Sequence, residues 1–185
     1  MLHAFDALSG DELFAYVPGL VFSNLKNLVD PNYTHTFFVD LTPSVADAGG
    51  YSLLVGGLGK GGRGYYALDV SLGAGINNET TLASKVKWES PNGTPPAGEA
   101  DDLGYSYSRP AIVESTAGHV VIFGNGYSSQ SGTAKLIILD ASSGTLVRSI
   151  STGVGNCNGL SSPTPIDPDF DGIVDYVYAG DLQGN

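Results

Sequence analysis

The 185-residue chain contains a single cysteine, Cys157, so no internal disulfide bond can form. It also lacks an apolar run of about 20 residues, so we predict no direct membrane insertion. Basic residues are few: eight lysines and arginines stand against 19 acidic residues, which gives a net charge of −11. Because nucleic acid requires a basic protein surface, this charge argues against nucleic acid as a partner.

Glycine and aromatic residues are abundant instead. The sequence has 26 glycines, 10 prolines, 10 tyrosines and 7 phenylalanines, a composition typical of short β-strands joined by tight turns. Hydrophobic residues make up 42% of the chain, which is enough for a packed core. The composition therefore favours an all-β fold.

Recurrent segments predict how the strands are arranged. Two apolar residues and an aspartate, followed four residues later by glycine, occur three times, ending at Gly10, Gly73 and Gly144. Each copy predicts a hairpin in which the glycine takes the turn position with positive φ. Further matched segments predict the first and second strands of each repeating unit. The predicted first strands are 36–40, 109–113 and 162–166, and the predicted second strands are 52–57, 120–125 and 175–180.

Four short strands per unit, repeated with glycine-rich turns, are typical of β-propeller blades. We therefore expect the chain to be an all-β fragment of a β-propeller with four-stranded blades. The two complete blades are predicted at residues 36–90 and 108–151. Parts of two other blades are predicted at residues 1–17 and 160–185. Residues 18–35 break the strand pattern and predict a short helical insertion.

The stretch from Asp167 to Asp175 carries the clearest chemical signal. It places carboxylates at its positions 1, 3, 5 and 9 and a glycine at position 6. This spacing is typical of the front of a Ca²⁺ loop, because Ca²⁺ prefers roughly six to eight oxygen ligands and the glycine allows a sharp turn. The predicted ligands are the side chains of Asp167, Asp169, Asp171 and Asp175 and the backbone carbonyl of Ile173.

This loop also has an alternative interpretation. Position 12, where such a loop usually has a bidentate glutamate, holds Tyr178, so water or an outside carboxylate would have to complete the shell. The alternative is an Asp/Gly-rich turn whose carboxylates bond backbone amides. We predict the metal site, because four carboxylates this close repel one another without a cation. We expect the loop at a hairpin tip on the propeller rim.

Other segments give weaker signals. The glycine-rich segment 56–64 lacks the Lys-Ser/Thr ending and the following helix of a phosphate-binding loop, so it predicts a flexible hairpin. Lys60 and Arg63 within it offer a small contact site for an anionic partner. The acidic cluster at residues 99–102 predicts a solvated surface. The three histidines are far apart and no nucleophile motif occurs, so we predict no catalytic site.

Several segments resemble the C-terminal propeller of the PilY/PilC family of type IV pilus biogenesis factors and tip-associated adhesins. The resemblance lies in residues 1–6, 12–18, 55–59, 66–70, 121–127, 158–163, 167–175 and 178–185. It implies a Ca²⁺-binding propeller outside the cytoplasm, on the fimbrium or the cell surface, that supports pilus assembly, pilus extension and attachment. In that family, Ca²⁺ occupancy is linked to whether pili extend or retract.

The implied partners are minor pilins of the pilus tip complex and a host or abiotic surface. The chain has no Arg-Gly-Asp tripeptide, so integrin binding is not implied. No catalysis is implied either, and the same five loop residues are the implied Ca²⁺ ligands.

Two alternatives stay open. Pyrroloquinoline-quinone dehydrogenases are propellers with similar hairpins, but their blades usually add a tryptophan after the glycine that packs between neighbouring sheets. Phe14 and Val147 occupy the equivalent positions here, and the only tryptophan, Trp88, follows an insertion. The second alternative is a generic extracellular propeller in which Ca²⁺ is purely structural, and it predicts the same loop.

Overall fold

The computed structural model describes residues 1–71, 75–76, 78–90 and 102–185. Within these ranges the fold is all-β with a few short helices, as predicted from the sequence. The strands are β1 Leu2–Phe5, β2 Glu12–Tyr16, β3 Ser44–Asp47, β4 Ser52–Gly57, β5 Tyr65–Asp69, β6 Val86–Ser90, β7 Ala111–Ser115, β8 Gly118–Gly124, β9 Lys135–Asp140, β10 Leu146–Ser151, β11 Thr164–Ile166 and β12 Tyr176–Tyr178. The α-helices are α1 Phe22–Leu25 and α2 Glu79–Lys85, and 3-10 helices cover Gly19–Val21 and Lys26–Val29. None of the helices in the described ranges is long and apolar enough to cross a membrane.

The strands form four antiparallel sheets that correspond to propeller blades. β3 to β6 pair in chain order as one four-stranded sheet, and β7 to β10 pair in chain order as a second. β1 pairs with β2, and β11 pairs with β12. The first strands of successive sheets contact one another, β3 with β7 and β7 with β11. The first strand of each blade is therefore the inner one, next to the propeller axis.

The larger of two hydrophobic clusters lies between the two four-stranded sheets. The buried rings of Tyr65 and Phe123 stack across the two sheets with centroids 4.0 Å apart. The Tyr65 hydroxyl donates a hydrogen bond to the carbonyl oxygen of Ser108 at 2.9 Å. The buried Trp88 indole N–H donates to the carbonyl oxygen of Ala141 in the next blade, also at 2.9 Å. Trp88 thus packs between neighbouring sheets, so its late position in the repeat does not distinguish this chain from quinone-dehydrogenase propellers.

A close backbone contact also joins the second complete blade to the last one. A Cβ atom added to Gly124 would lie 2.3 Å from the carbonyl oxygen of Ser161 and 2.4 Å from that of Leu160. No real Cβ atom approaches backbone oxygen this closely, so only glycine fits at the end of β8. The chain entering the last blade therefore lies directly against the preceding sheet.

The predicted first strand at residues 36–40 is wrong. These residues are irregular, and β3 begins only at Ser44. Asp40 lies against the glycine-rich hairpin instead, where its carboxylate accepts a hydrogen bond from the Lys60 backbone N–H at 2.9 Å. The backbone N–H of Asp40 donates to the Leu58 carbonyl at 3.4 Å. This segment therefore lies against the hairpin and does not pair as a strand.

Helix α2 lies between β5 and β6, where the sequence predicts only a longer loop. The Asn78 side chain caps this helix by accepting the Thr81 backbone N–H at 2.8 Å. At the other end of the helix, the Lys85 ammonium pairs with the Asp69 carboxylate at 3.1 Å. Gly73, at the end of the predicted hairpin there, lies outside the described residues.

The predicted solvated acidic cluster is wrong at Asp102. This side chain is buried, and its carboxylate pairs with the Lys135 ammonium at 2.6 Å and accepts the Ser131 backbone N–H at 2.8 Å. The rest of the cluster, residues 99–101, lies outside the described residues. Burial of Asp102 is tolerated because its charge is paired and hydrogen-bonded.

Candidate metal centre

The acidic loop connects the first two strands of the last blade. β11 and β12 pair in register, with Thr164 opposite Tyr178 and Ile166 opposite Tyr176, and residues 167–175 join them. The loop is thus at a hairpin tip, as predicted from the sequence. Because the first strands are the inner strands of this propeller, the hairpin lies beside the inner strands and not on the outer rim.

Local hydrogen bonds curl the loop around its first carboxylate. One oxygen of Asp167 accepts the backbone N–H of Phe170 and the other accepts that of Gly172, each at 2.8 Å. Gly172 has φ of 91° and Phe170 has φ of 61°, so two left-handed residues make the sharp turn. Gly172, at position 6 of the loop, therefore forms the sharp turn that the sequence pattern predicts.

Three of the four predicted acidic ligands converge. Carboxylate oxygens of Asp167, Asp169 and Asp175 all lie within 4.8 Å of one another. The Asp171 carboxylate is outside this group and accepts the Ile173 backbone N–H at 2.7 Å. Within the described ranges, no other group of three potential metal-ligand side chains meets in this way.

The ionisation of Asp169 reflects the crowding of negative charge. The Asp171 backbone N–H favours the ionised Asp169 carboxylate, but this effect is outweighed. Repulsion from Asp171 and Asp175, desolvation and the adjacent Asp167 carboxyl together raise the pKa of Asp169. A divalent cation placed among these oxygens would relieve this repulsion.

Asp167 behaves in the opposite way. Desolvation disfavours its ionised form, but hydrogen bonds from the backbone N–H groups of Gly172 and Phe170 outweigh that effect and lower the pKa of Asp167. One carboxylate is thus held ionised while its neighbour resists ionisation. The donor set is made only of oxygen, which fits Ca²⁺ and does not fit a softer metal.

The second half of the loop is anchored to two blades. The Asp175 backbone N–H donates to the Ile166 carbonyl at 3.1 Å, within the same blade. The Val174 backbone N–H donates to the Glu114 carbonyl at 3.0 Å, and Ile173 forms a parallel bridge with Glu114. Glu114 belongs to β7, the inner strand of the preceding blade. No local sequence signal identifies this contact, because its partners are about 60 residues apart.

Comparison with known proteins gives consistent results. A sequence model of the PilY1 beta-propeller domain matches residues 1–185. The type IV pilus biogenesis factor PilY1 of Pseudomonas aeruginosa is 43% identical over 195 residues, which cover 100% of this chain and 16% of that protein. A PilY1 homolog of Xylella fastidiosa is 40% identical over 201 residues, covering 100% of this chain and 13% of that protein.

A solved structure gives the same result at the level of the fold. The crystal structure of the Pseudomonas aeruginosa PilY1 C-terminal domain is 40% identical and superposes with a TM-score of 0.73. The match covers 99% of this chain and 35% of that chain. The chain therefore spans a minor part of the relatives that it matches. These similarities favour the PilY/PilC resemblance over the quinone-dehydrogenase alternative.

Proposed function

Since the chain belongs to the PilY1 β-propeller family, we propose that it is the calcium-binding region of a type IV pilus biogenesis and tip adhesin protein. In this role it supports pilus assembly and extension and attachment to a host or abiotic surface, outside the cytoplasm on the fimbrium or cell surface. The observation that carries the proposal is the convergence of Asp167, Asp169 and Asp175 in a chain of this family.

The proposed ligands of Ca²⁺ are the five loop residues named from the sequence. The converging carboxylates of Asp167, Asp169 and Asp175 supply the first set of oxygens. Asp171, whose carboxylate bonds the Ile173 N–H, is the proposed fourth acidic ligand, and the Ile173 carbonyl is the fifth. Ca²⁺ supplies positive charge at the loop, and no catalytic chemistry is proposed.

The loop residues link this charge to the shape of the propeller. Neutralising the carboxylates removes the repulsion that disfavours a compact loop, so the loop stays ordered. Val174 then holds its hydrogen bond to Glu114, and the last blade stays fixed against the preceding one. The surface presented to minor pilins of the tip complex thereby depends on the ion. A ligand that binds only the folded state stabilises it by about 2.7 kcal/mol at a hundredfold excess over Kd.

The contact between Val174 and Glu114 also favours a second candidate, a purely structural Ca²⁺ in an extracellular propeller. In that case the ion stabilises the joint between two blades and is always bound. The two candidates differ in whether loss of the ion changes pilus behaviour or only stability.

The test uses the intact protein that contains this chain. Calorimetric Ca²⁺ titration of the wild type should show a site that disappears in the Asp169→Ala, Asp171→Ala double variant. The Asp11→Ala, Asp30→Ala variant, which removes two exposed aspartates outside the loop, should bind Ca²⁺ normally. Absence of binding to the wild type overturns the metal site.

Pilus assays with the same variants separate the two candidates. Loss of surface piliation in the loop variant, with the control variant unaffected and both proteins present at wild-type levels, supports the role in pilus biogenesis. If the loop variant shows normal piliation and a lowered melting temperature, the result supports the second candidate, in which Ca²⁺ is purely structural.

A further inference from the structure

A groove of about 500 Å³ lies on the first complete blade, away from the acidic loop. One wall is the helical insertion, a second is the irregular segment 35–38, and the third is the hairpin 58–64 that joins β4 to β5. The side chains that matter for its chemistry are Asn24, Asn27, His35, Phe37, Lys60, Arg63 and Tyr105. The groove is thus lined by amides, aromatic rings and cations.

The hairpin wall, which the sequence predicts as a flexible hairpin, is closely packed against its neighbours. A Cβ at Gly61 would lie 2.0 Å from the carbonyl oxygen of Phe38, so the two backbones are in direct contact. The buried Ser106 hydroxyl accepts the Gly64 backbone N–H at 2.6 Å and donates to the Gly62 carbonyl at 3.2 Å. The hairpin is therefore held by close contacts and hydrogen bonds, because the glycines permit close approach of the backbones here.

Two cations face this groove without acidic partners. The Lys60 ammonium lies 4.8 Å from the ring centroid of Phe37, and the Arg63 guanidinium lies 5.8 Å from that of Tyr105. In the described part of the chain, neither cation belongs to an ion pair, and no carboxylate lines the groove. Two unpaired cations at one groove of a chain with net charge −11 favour an anionic ligand.

Aromatic rings provide a flat surface beside these cations. Phe37 is 41% exposed, and the His35 ring meets it edge-on at 4.9 Å between centroids. Tyr105 continues into a row of exposed rings, with Tyr127 at 5.6 Å from Tyr105 and Tyr107 at 5.4 Å from Tyr127. Aromatic faces of this kind pack against apolar faces of a ligand. The amide side chains of the helical insertion form hydrogen bonds with hydroxyl groups of a ligand.

We propose that this groove binds an acidic saccharide, a chain of sugar rings that carries carboxylate groups. The C–H faces of the sugar rings pack on Phe37 and Tyr105, and the carboxylates bond Lys60 and Arg63. The amide side chains on the opposite wall bond the sugar hydroxyls. This site does not depend on Ca²⁺ binding at the acidic loop.

The geometry favours this ligand over other anions. The glycine-rich hairpin leads into a strand, so no helix N-terminus is present there to hold an isolated phosphate. An acidic peptide has the carboxylates that would bond the two cations. It lacks the hydroxyl-bearing rings that would pack on the aromatic side chains and bond the amides.

The test is calorimetric titration of the intact, Ca²⁺-loaded protein with tetragalacturonic acid. The neutral tetrasaccharide of N-acetylglucosamine and a tetraglutamate peptide serve as comparison ligands. The Lys60→Gln, Arg63→Gln variant removes both charges and keeps the length of the side chains similar. The matched control is Lys87→Gln, Arg148→Gln, because Lys87 also lies over an aromatic ring, that of Tyr51 at 4.4 Å, but outside the groove.

We expect the acidic tetrasaccharide to bind the wild type and the control variant equally, and to bind the groove variant about tenfold or more weakly. A Phe37→Ala variant should also weaken saccharide binding while leaving the melting temperature within a few degrees. The Asp169→Ala variant should bind the saccharide normally, so failure of the calcium proposal does not imply failure of this one. No binding, equal binding to the groove variant, or equal binding of the neutral saccharide or the peptide would each overturn the proposal.

Discussion

Val174 donates its backbone N–H to the carbonyl oxygen of Glu114 at 3.0 Å, which ties the acidic loop of the last blade to the inner strand of the blade before it. On its other side, Asp175 is bonded to Ile166 of its own blade. Any change in the order of the loop therefore acts on a joint between two blades.

Ca²⁺ should slow amide hydrogen exchange at Val174 and Gly172. The Val174 N–H bonds Glu114 and the Gly172 N–H bonds Asp167, so both open when charge repulsion opens the loop. The measurement is the amide exchange rate of Val174 and Gly172, determined by NMR with and without Ca²⁺. The Gly144 amide, which bonds the Asp140 carbonyl in a distant turn, is the internal control and should not change.

Ca²⁺ affinity should fall as the pH is lowered toward the ordinary aspartate value of 3.8. The raised pKa of Asp169 means that it takes up a proton before an ordinary aspartate does, and the proton competes with the ion. In the metal-free protein, the raised pKa means that stability decreases as the pH rises through it. The increase in melting temperature on adding Ca²⁺ should therefore be largest near neutral pH and vanish in acid. An increase that is independent of pH would contradict the assignment of Asp169 as a ligand.

Asp69→Asn should lower the melting temperature at neutral pH. Burial disfavours the Asp69 carboxylate, but hydrogen bonds from Ser71 and the Lys85 ion pair outweigh it and lower the pKa of Asp69 to about 2. A lowered folded pKa contributes stability above the unfolded value of about 3.9, and the contribution is lost as pH falls through about 2. The difference between variant and wild type should therefore shrink steadily in acid. Asp11→Asn, at an exposed position, is the control.

Gly124→Ala should destabilise the protein by about 2 kcal/mol or more. The new methyl group would meet the backbone of Leu160 and Ser161, which cannot move away without separating two blades. Gly75→Ala is the matched control, because no atom of the described residues lies within 4 Å of its added Cβ, and it should be neutral or slightly stabilising. Urea unfolding of both variants measures the difference, and equal free energies of unfolding would contradict the close contact.

The sequence predicts features that depend on neighbouring residues in the chain. The second strand of the first complete blade, residues 52–57, forms as β4 because its apolar run and flanking turns are encoded locally. The carboxylate spacing from Asp167 to Asp175 likewise predicts a curled acidic loop, and Gly172 takes the expected left-handed conformation. Segment 36–40 is an exception, because it is predicted as a strand and does not form one. It has the composition of a strand, but its partner is a glycine-rich hairpin about 20 residues away.

The sequence by itself therefore determines the all-β class, the repeating hairpins and the spacing of the aspartates in the acidic loop, because strand periodicity and turn chemistry are short-range. Only the tertiary structure decides which carboxylates meet, since Asp171 turns to the Ile173 N–H while Asp167, Asp169 and Asp175 converge. It alone also brings Glu114 to Val174 and builds the groove around Lys60. The choice among the carboxylates depends on the hydrogen bonds that close the loop. The other two arrangements join residues that are far apart in the chain, and that separation leaves no local pattern.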